Sequence, residues 1–227
     1  MSRKGLTELV MILDRSGSMS GLESDTIGGF NSMIERQKKE EGEALVSVVL
    51  FDHVNDVIYD RTDIRKIEPM TEKQYYVRGT TALLDAVGGA IHHIGLVHKY
   101  AREEGRPEKT LFIITTDGME NSSRQFSYED VRKMIERQRE RYGWEFLFMG
   151  ANMDAVEEAA RFGIHRSRAV TFENDSLGQE LNYRAISDAV TIARSAPSAG
   201  AMADTLDRDC VFEEIRADYK ARHKRNR

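Results

Sequence analysis

The sequence predicts an α/β fold: a doubly wound, mostly parallel six-stranded sheet with helices on both faces. Three observations predict it. Six apolar runs alternate with segments of helical period along the 227 residues. Several of those runs are continuous rather than alternating, as strands covered on both faces are. Helix-start signals fall between them, so that strand and helix follow each other in the order that builds crossover units.

The strands, in order, are "LTELVMILD" (Leu6 to Asp14), "ALVSVVLFDH" (Ala44 to His53), "DVIYDRTDI" (Asp56 to Ile64), "TLFIITTD" (Thr110 to Asp117), "EFLFMGA" (Glu145 to Ala151) and "RAVTF" (Arg168 to Phe172). The third is more polar and follows the second after the short turn "HVND", which predicts a hairpin partner at a sheet edge. Thr71 with Gln74, Ser127 with Asp130, Asp154 with Glu157 and Ser176 with Gln179 have the spacing at which two side chains satisfy each other's free amides at a helix start. Helices are expected at about Gly21 to Glu41, Ala82 to Glu104, Ser127 to Tyr142, Asp154 to Phe162 and Ser176 to Ser195, with Gly163 as a C-terminal stop. Gly28-Gly29 and Gly88-Gly89 fall inside these helices, where each glycine costs up to about 1 kcal/mol against alanine, and close packing of helix on sheet is the usual reason. Residues 1–195 form the expected domain. From 196 to 227 the texture changes to a linker around Pro197 and Gly200 and then a charged segment, a docked helix or a tail.

Composition narrows the function classes. With 40% apolar and 31% charged residues the chain is an ordinary soluble type, and a formal charge of −5 gives no electrostatic case for nucleic acid binding. After Arg3 and Lys4 the apolar run lasts only about five residues before Asp14, too short for a signal peptide or a membrane span. Cys210 is the lone cysteine, so no disulfide framework or cysteine-based zinc site is expected, and a reducing, cytoplasmic setting is the default.

In doubly wound sheets ligands sit outside the carboxyl ends of the strands, where the winding reverses. The first strand ends in "DRSGSM", in which Asp14, Ser16 and Ser18 alternate along the loop. A later strand ends in "TTDG", with Asp117 at its tip, and the loop "RGTTALLDA" supplies Thr80 and Thr81. If these segments converge, two carboxylates and several hydroxyls share one pocket. Such an all-oxygen set suits a hard divalent cation, magnesium or manganese, and neutral hydroxyls leave the ion positive charge for an external acidic group. Alone, a serine-rich turn after a strand is most often a helix entry, and Asp117-Gly118 a simple turn; it is the combination that points to a site.

"DRSGSM", "RGTTALLDA" and "TTDG", in that order and on those elements, resemble the von Willebrand factor type A (vWA) domain and its metal-ion-dependent adhesion site, in its stand-alone bacterial form. The resemblance covers roughly Leu6 to Arg194. It implies a Rossmann-like sheet of order 3-2-1-4-5-6 with one antiparallel edge strand. It further implies that Ser16, Ser18 and a threonine hold the metal through hydroxyls, with Asp14 and Asp117 acting directly or through water. Counting back from Asp85 favours Thr81, with Thr80 as the alternative. The implied task is binding a protein that presents an aspartate or glutamate to the metal; bacterial members often act beside ring-shaped ATPases or as assembly factors.

Enzyme motifs are missing from the letters. "GSMSG" places Met19 where a nucleophile elbow needs serine, Ser16 stands where an aspartyl phosphatase needs its second carboxylate, and there is no phosphate loop or H-E-x-x-H. A metal-dependent phosphohydrolase is the alternative function, with no general base in view. His92 and His93 point about 100° apart on a helix and His98 follows five residues on, poor spacings for a shared metal. Met19, Met119 and Met149 lie near the expected rim, as core packing or partner contact, and Ser20 is assigned to capping the helix that follows.

Overall fold

The computed structural model describes residues 2–208 and 211–224; Cys210 and the end of the basic tail lie outside the described residues. The elements run β1 (Arg3–Asp14), α1 (Glu23–Gln37), β2 (Glu43–Phe51), β3 (Asn55–Asp63), α2 (Leu83–Tyr100), β4 (Pro107–Thr116), α3 (Tyr128–Tyr142), β5 (Glu145–Ala151), α4 (Ala155–Arg161), β6 (Ala169–Phe172), α5 (Ser176–Ser195), α6 (Ala199–Arg208) and α7 (Glu213–Lys224). The six strands form one sheet in the order β3-β2-β1-β4-β5-β6. All neighbours are parallel except β2 and β3, which pair antiparallel at one edge.

The two-residue period of a strand explains the continuous apolar runs. In β1, Leu9, Met11 and Leu13 enter the core shared with α1 and α5, while Val10 and Ile12 enter the opposite core under α2 and α3. Each such side chain, fully buried, contributes about 1.5–3 kcal/mol, so a strand apolar on both faces is held at the centre of the sheet. No helix among the described residues is long and apolar enough to cross a membrane.

The helix-start signals resolve into different roles. Ser127 and Asp130 make a reciprocal capping box at α3, and Asp154 accepts from the amides of Val156 and Glu157 at 3.0 Å each. At α5 the cap is Asp175, which accepts from Gly178 N at 2.8 Å, one residue before the pair expected at Ser176. Thr71 and Gln74 bond to each other at 3.0 Å but close a turn and start no helix. The glycine pairs also differ from the expected packing on the sheet. A Cβ on Gly29 would lie 2.2 Å from Tyr183 of α5, and one on Gly88 2.6 Å from Phe126 in a loop, while Gly28 and Gly89 have open space.

After Ser195 the chain continues in helices. α6 begins at Ala199, inside the stretch read as a linker, and Met202, Leu206, Phe212 and Ile215 are buried in the same core as α1 and α5. The Arg216 guanidinium donates to Ala169 O and Arg166 O at 3.2 Å each, which satisfies carbonyls beside the short edge strand β6.

Candidate functional site

β1 and β4 lie side by side at the point where the winding reverses, with Leu13 opposite Thr115. Asp14 therefore ends one strand next to Asp117, which follows the other. Asp14 is buried; its Oδ1 accepts from Ser16 N at 2.7 Å and its Oδ2 from Thr116 Oγ1 at 2.6 Å. Its own carbonyl accepts from the buried Tyr75 hydroxyl at 2.6 Å, which holds the strand end in place. Asp117 is equally buried, accepting from Ser18 Oγ in a short contact and from Asn174 Nδ2 at 3.0 Å. Ser16 Oγ and Ser18 Oγ are 3.1 Å apart.

The third segment arrives through its backbone. Thr81 N donates to Asn121 Oδ1 at 3.0 Å and Asn121 N donates to Thr81 O at 3.0 Å, so the threonine is clamped from the β4–α3 loop. That loop is itself tied to the start of α2. Asp85 accepts from the amides of Arg124, Gln125 and Phe126, and Glu120 accepts from those of Leu84, Ser122 and Ser123. Thr81 is buried and Thr80 exposed, so of the two alternatives Thr81 is the one brought to the cluster. Gly118 marks where the hydroxyls converge. A Cβ there would lie 3.0 Å from Thr81 Oγ1, 3.3 Å from Ser18 Oγ and 3.9 Å from Ser16 Oγ, so any side chain at 118 would enter the space the three hydroxyls face. All five residues singled out from the sequence, Asp14, Ser16, Ser18, Thr81 and Asp117, thus border one small volume.

Electrostatics set these two carboxylates apart. Burial pushes the Asp14 carboxyl above its ordinary value, against hydrogen bonds from Thr116 and Ser16. Burial likewise pushes Asp117 up to about 6, opposed by Ser18 and Asn174 and aided by the neighbouring charge of Asp14. Neither forms an ion pair among the described residues. The nearest guanidiniums are committed elsewhere: Arg15, itself buried, binds Asp52 at 2.8 Å and, in a short contact, Asp56, and Arg78 binds the same two at 2.7 and 3.3 Å. At Asp52 burial also raises the pKa, but the bonds from Arg78, Val54 N and Arg15 outweigh it and hold the carboxyl below the usual range.

The donor set fits a hard cation: two carboxylates lacking a counter-charge and three hydroxyls on a common cradle. Among the described residues no group of three or more His, Cys, Asp or Glu side chains could hold a metal, so a cation here depends on the hydroxyls. His93 pairs with Asp60 at 2.9 Å and His98 with Glu8 at 3.2 Å, away from this site. Ser20 does not cap α1; Leu22 occupies the cap position without a side-chain bond, and Glu23 accepts from Gly21 N at 2.7 Å. Met19 and Met149 are core residues, whereas Met119 is 60% exposed beside Gly118. Sequence reasoning missed Thr116, Asn121 and Asn174 as positioning residues. Thr116 precedes Asp117 in "TTDG" and could have been found; Asn174 reaches the site only through the β6–α5 loop.

No family sequence model matches the chain, and no curated protein matches it. Solved structures do. A von Willebrand factor type A protein from Catenulispora acidiphila is 15% identical with a TM-score of 0.53, the match covering 84% of this chain and 43% of that one. Proximal thread matrix protein 1 from the mussel byssus, in a structure with a zinc-occupied MIDAS motif, is 14% identical with a TM-score of 0.52, covering 92% and 47%. The PilB minor pilin from Streptococcus sanguinis is 10% identical with a TM-score of 0.56, covering 84% and 62%. The chain thus spans about half the length of the first two structures and 62% of the third. At these identities the likeness establishes the fold, that of vWA domains.

Proposed function

We propose that the chain binds magnesium or manganese through Asp14, Ser16, Ser18, Thr81 and Asp117 and uses the site to recognise a protein that presents an aspartate or glutamate. The observation that carries the reading is the convergence of three hydroxyls over Gly118, between two buried carboxylates that have no basic partner among the described residues. When bound, the cation supplies positive charge to the partner's carboxylate. The chain's residues do the rest. Thr116 and Asn174 orient the two carboxylates, and Asn121 holds Thr81 in place. The exposed Met119 offers an adaptable apolar contact at the rim. Zinc in the MIDAS of the mussel protein supports a divalent ion on this fold. An assembly complex or a ring-shaped ATPase in the cytoplasm is the partner class we favour, with binding rather than catalysis as the role.

Calorimetry with magnesium and manganese tests the metal half. Saturable binding is expected for the wild type and none for Asp14→Ala or Asp117→Ala, both still folded by circular dichroism; equal binding by all three proteins would sink the assignment. Affinity capture tests the partner half, with retention expected in magnesium and release by chelator. Metal-dependent turnover of phosphate esters above the Asp14→Ala level would instead raise the phosphohydrolase reading.

A further inference from the structure

At the opposite end of the sheet, between the C-terminal turns of α2 and α3 and the start of β4, lies a cavity of about 420 Å³. It lies within the range for small-molecule sites, about 300–1,000 Å³. Its lining is rich in donors that have nothing to bond. Arg137 has no hydrogen bond or ion pair among the described residues, and the Lys99 ammonium meets only the face of Tyr100, at 5.0 Å. Trp144 is 3% exposed, stacked on Phe112 at 5.2 Å, and its indole N–H has no acceptor among the described residues. The N–H is not one of the fully buried polar atoms that lack a partner, so it is open to the cavity, where an acceptor can reach it.

The helix-end carbonyls nearby are already bonded. Two helices end here, and their terminal carbonyls would repel an anion. Arg106 donates to His98 O at 2.9 Å and Ala101 O at 3.2 Å, covering the end of α2, while Gly143 N and Trp144 N close the end of α3 on Arg139 O and Gln138 O. Glu108, the one carboxylate in the lining, is turned to Gly5 N, from which it accepts at 2.7 Å, and it keeps its charge against the three cationic side chains Lys99, Arg106 and Arg137 of the same lining. The groove between α1 and α5 is a contrast: its arginines are consumed by acids, Arg36 by Asp188 and Arg184 by Glu180 and Glu214.

We propose that this cavity is a second binding site, for a small phosphate monoester whose dianionic group is held by Lys99 and Arg137 with the Trp144 N–H as a further donor. Two uncommitted cations match a doubly charged group, and a guanidinium fork with an ammonium point charge is a pairing suited to phosphate. The volume leaves room for an organic body beside the phosphate.

Trp144 is the sole tryptophan, so its fluorescence reports on the cavity directly. The wild-type protein is titrated at constant ionic strength with inorganic phosphate, AMP and adenosine, by fluorescence and by calorimetry. Saturable responses to AMP and to phosphate, and none to adenosine, are expected. Lys99 and Arg137 are exposed, so Lys99→Ala and Arg137→Ala keep the fold, and each should weaken AMP binding by about tenfold or more. Asp14→Ala should bind AMP as the wild type does, which separates this site from the proposed metal site. Absence of saturable binding of either phosphate compound up to about 10 mM, or binding that both cavity variants retain unchanged, would overturn the proposal.

Discussion

Asp14 and Asp52 stand at the carboxyl ends of neighbouring strands, where Asp14 pairs in register with Phe51, and both are buried. Asp52 receives two guanidiniums, from Arg15 and Arg78, and its carboxyl is held below the usual range. Asp14 receives a hydroxyl and an amide, and its carboxyl is held above it, as is that of Asp117. Burial opposes ionisation at all three. What differs is whether the chain itself supplies the opposite charge. One carboxylate is finished by folding and serves structure. The other two meet no opposite charge among the described residues, which is the condition the proposed metal site requires.

The largest expected effect breaks the comparison at its binding end. Asp14→Ala and Asp117→Ala should abolish magnesium binding. They should also abolish the stabilisation that comes with it, which for a ligand at a hundred times its Kd is about 2.7 kcal/mol. Urea unfolding with and without magnesium measures both. Asp52→Ala should behave in the opposite way. It leaves the buried Arg15 with Asp56 alone and should destabilise the fold by about 3 kcal/mol, near the low end for a broken buried pair, while keeping the magnesium increment. An Asp52→Ala protein as stable as the wild type would show that the two carboxylates are not distinguished by their partners.

How far these two settings were legible beforehand depends on range. The strands were readable because β1, β2 and β4 are apolar on both faces, and β5 matches its expected span from Glu145 to Ala151. The candidate residues could be singled out, and their proximity expected, because they sit on or just after strand tips within short motifs. The missing parts depend on contacts across the chain. Nothing in "DRSGSM" shows that Arg15 turns away to Asp52, or that Asn174, 57 residues beyond Asp117, supplies a donor to it. The span of α5, Ser176 to Ser195, was read from the sequence, but its cap was placed one residue late because Asp175 and Ser176 both make good caps, and only the backbone geometry selects Asp175. Gly29 was read as packing on the sheet because a lone sequence does not show that Tyr183 of α5 crosses it.

A smaller effect follows from pH. Asp117 titrates at about 6 in the fold against 3.8 in an unfolded chain, because burial disfavours its charge. The fold therefore favours the protonated form. The stability this group contributes is fully present below about pH 3.8 and is lost as pH rises through about 6. Asp14 shifts in the same direction. Chelator-treated protein should lose stability between about pH 4 and 6 from this source, and Asp117→Asn should flatten that slope. Magnesium should flatten it as well, since a cation favours the ionised pair. Asp52 shifts downward, so its stabilising contribution is present across that window and is lost only as pH falls below about 3.8.

The finest test lies between two adjacent threonines. Thr81 has its backbone clamped by Asn121 on both N–H and C=O, so removing its hydroxyl does not release the loop. Its Oγ1 is the nearest of the three hydroxyls to the point above Gly118. Thr81→Val, nearly equal in volume, should therefore weaken magnesium binding by about tenfold or more with unfolding stability of the metal-free protein nearly unchanged. Thr80 is exposed and makes no side-chain hydrogen bond among the described residues. Thr80→Val should change the affinity by less than about twofold, the scale of an ordinary surface substitution. Equal losses for the two would mean that the loop's mobility, rather than the Thr81 hydroxyl, sets the affinity, and that this segment holds no place in the site.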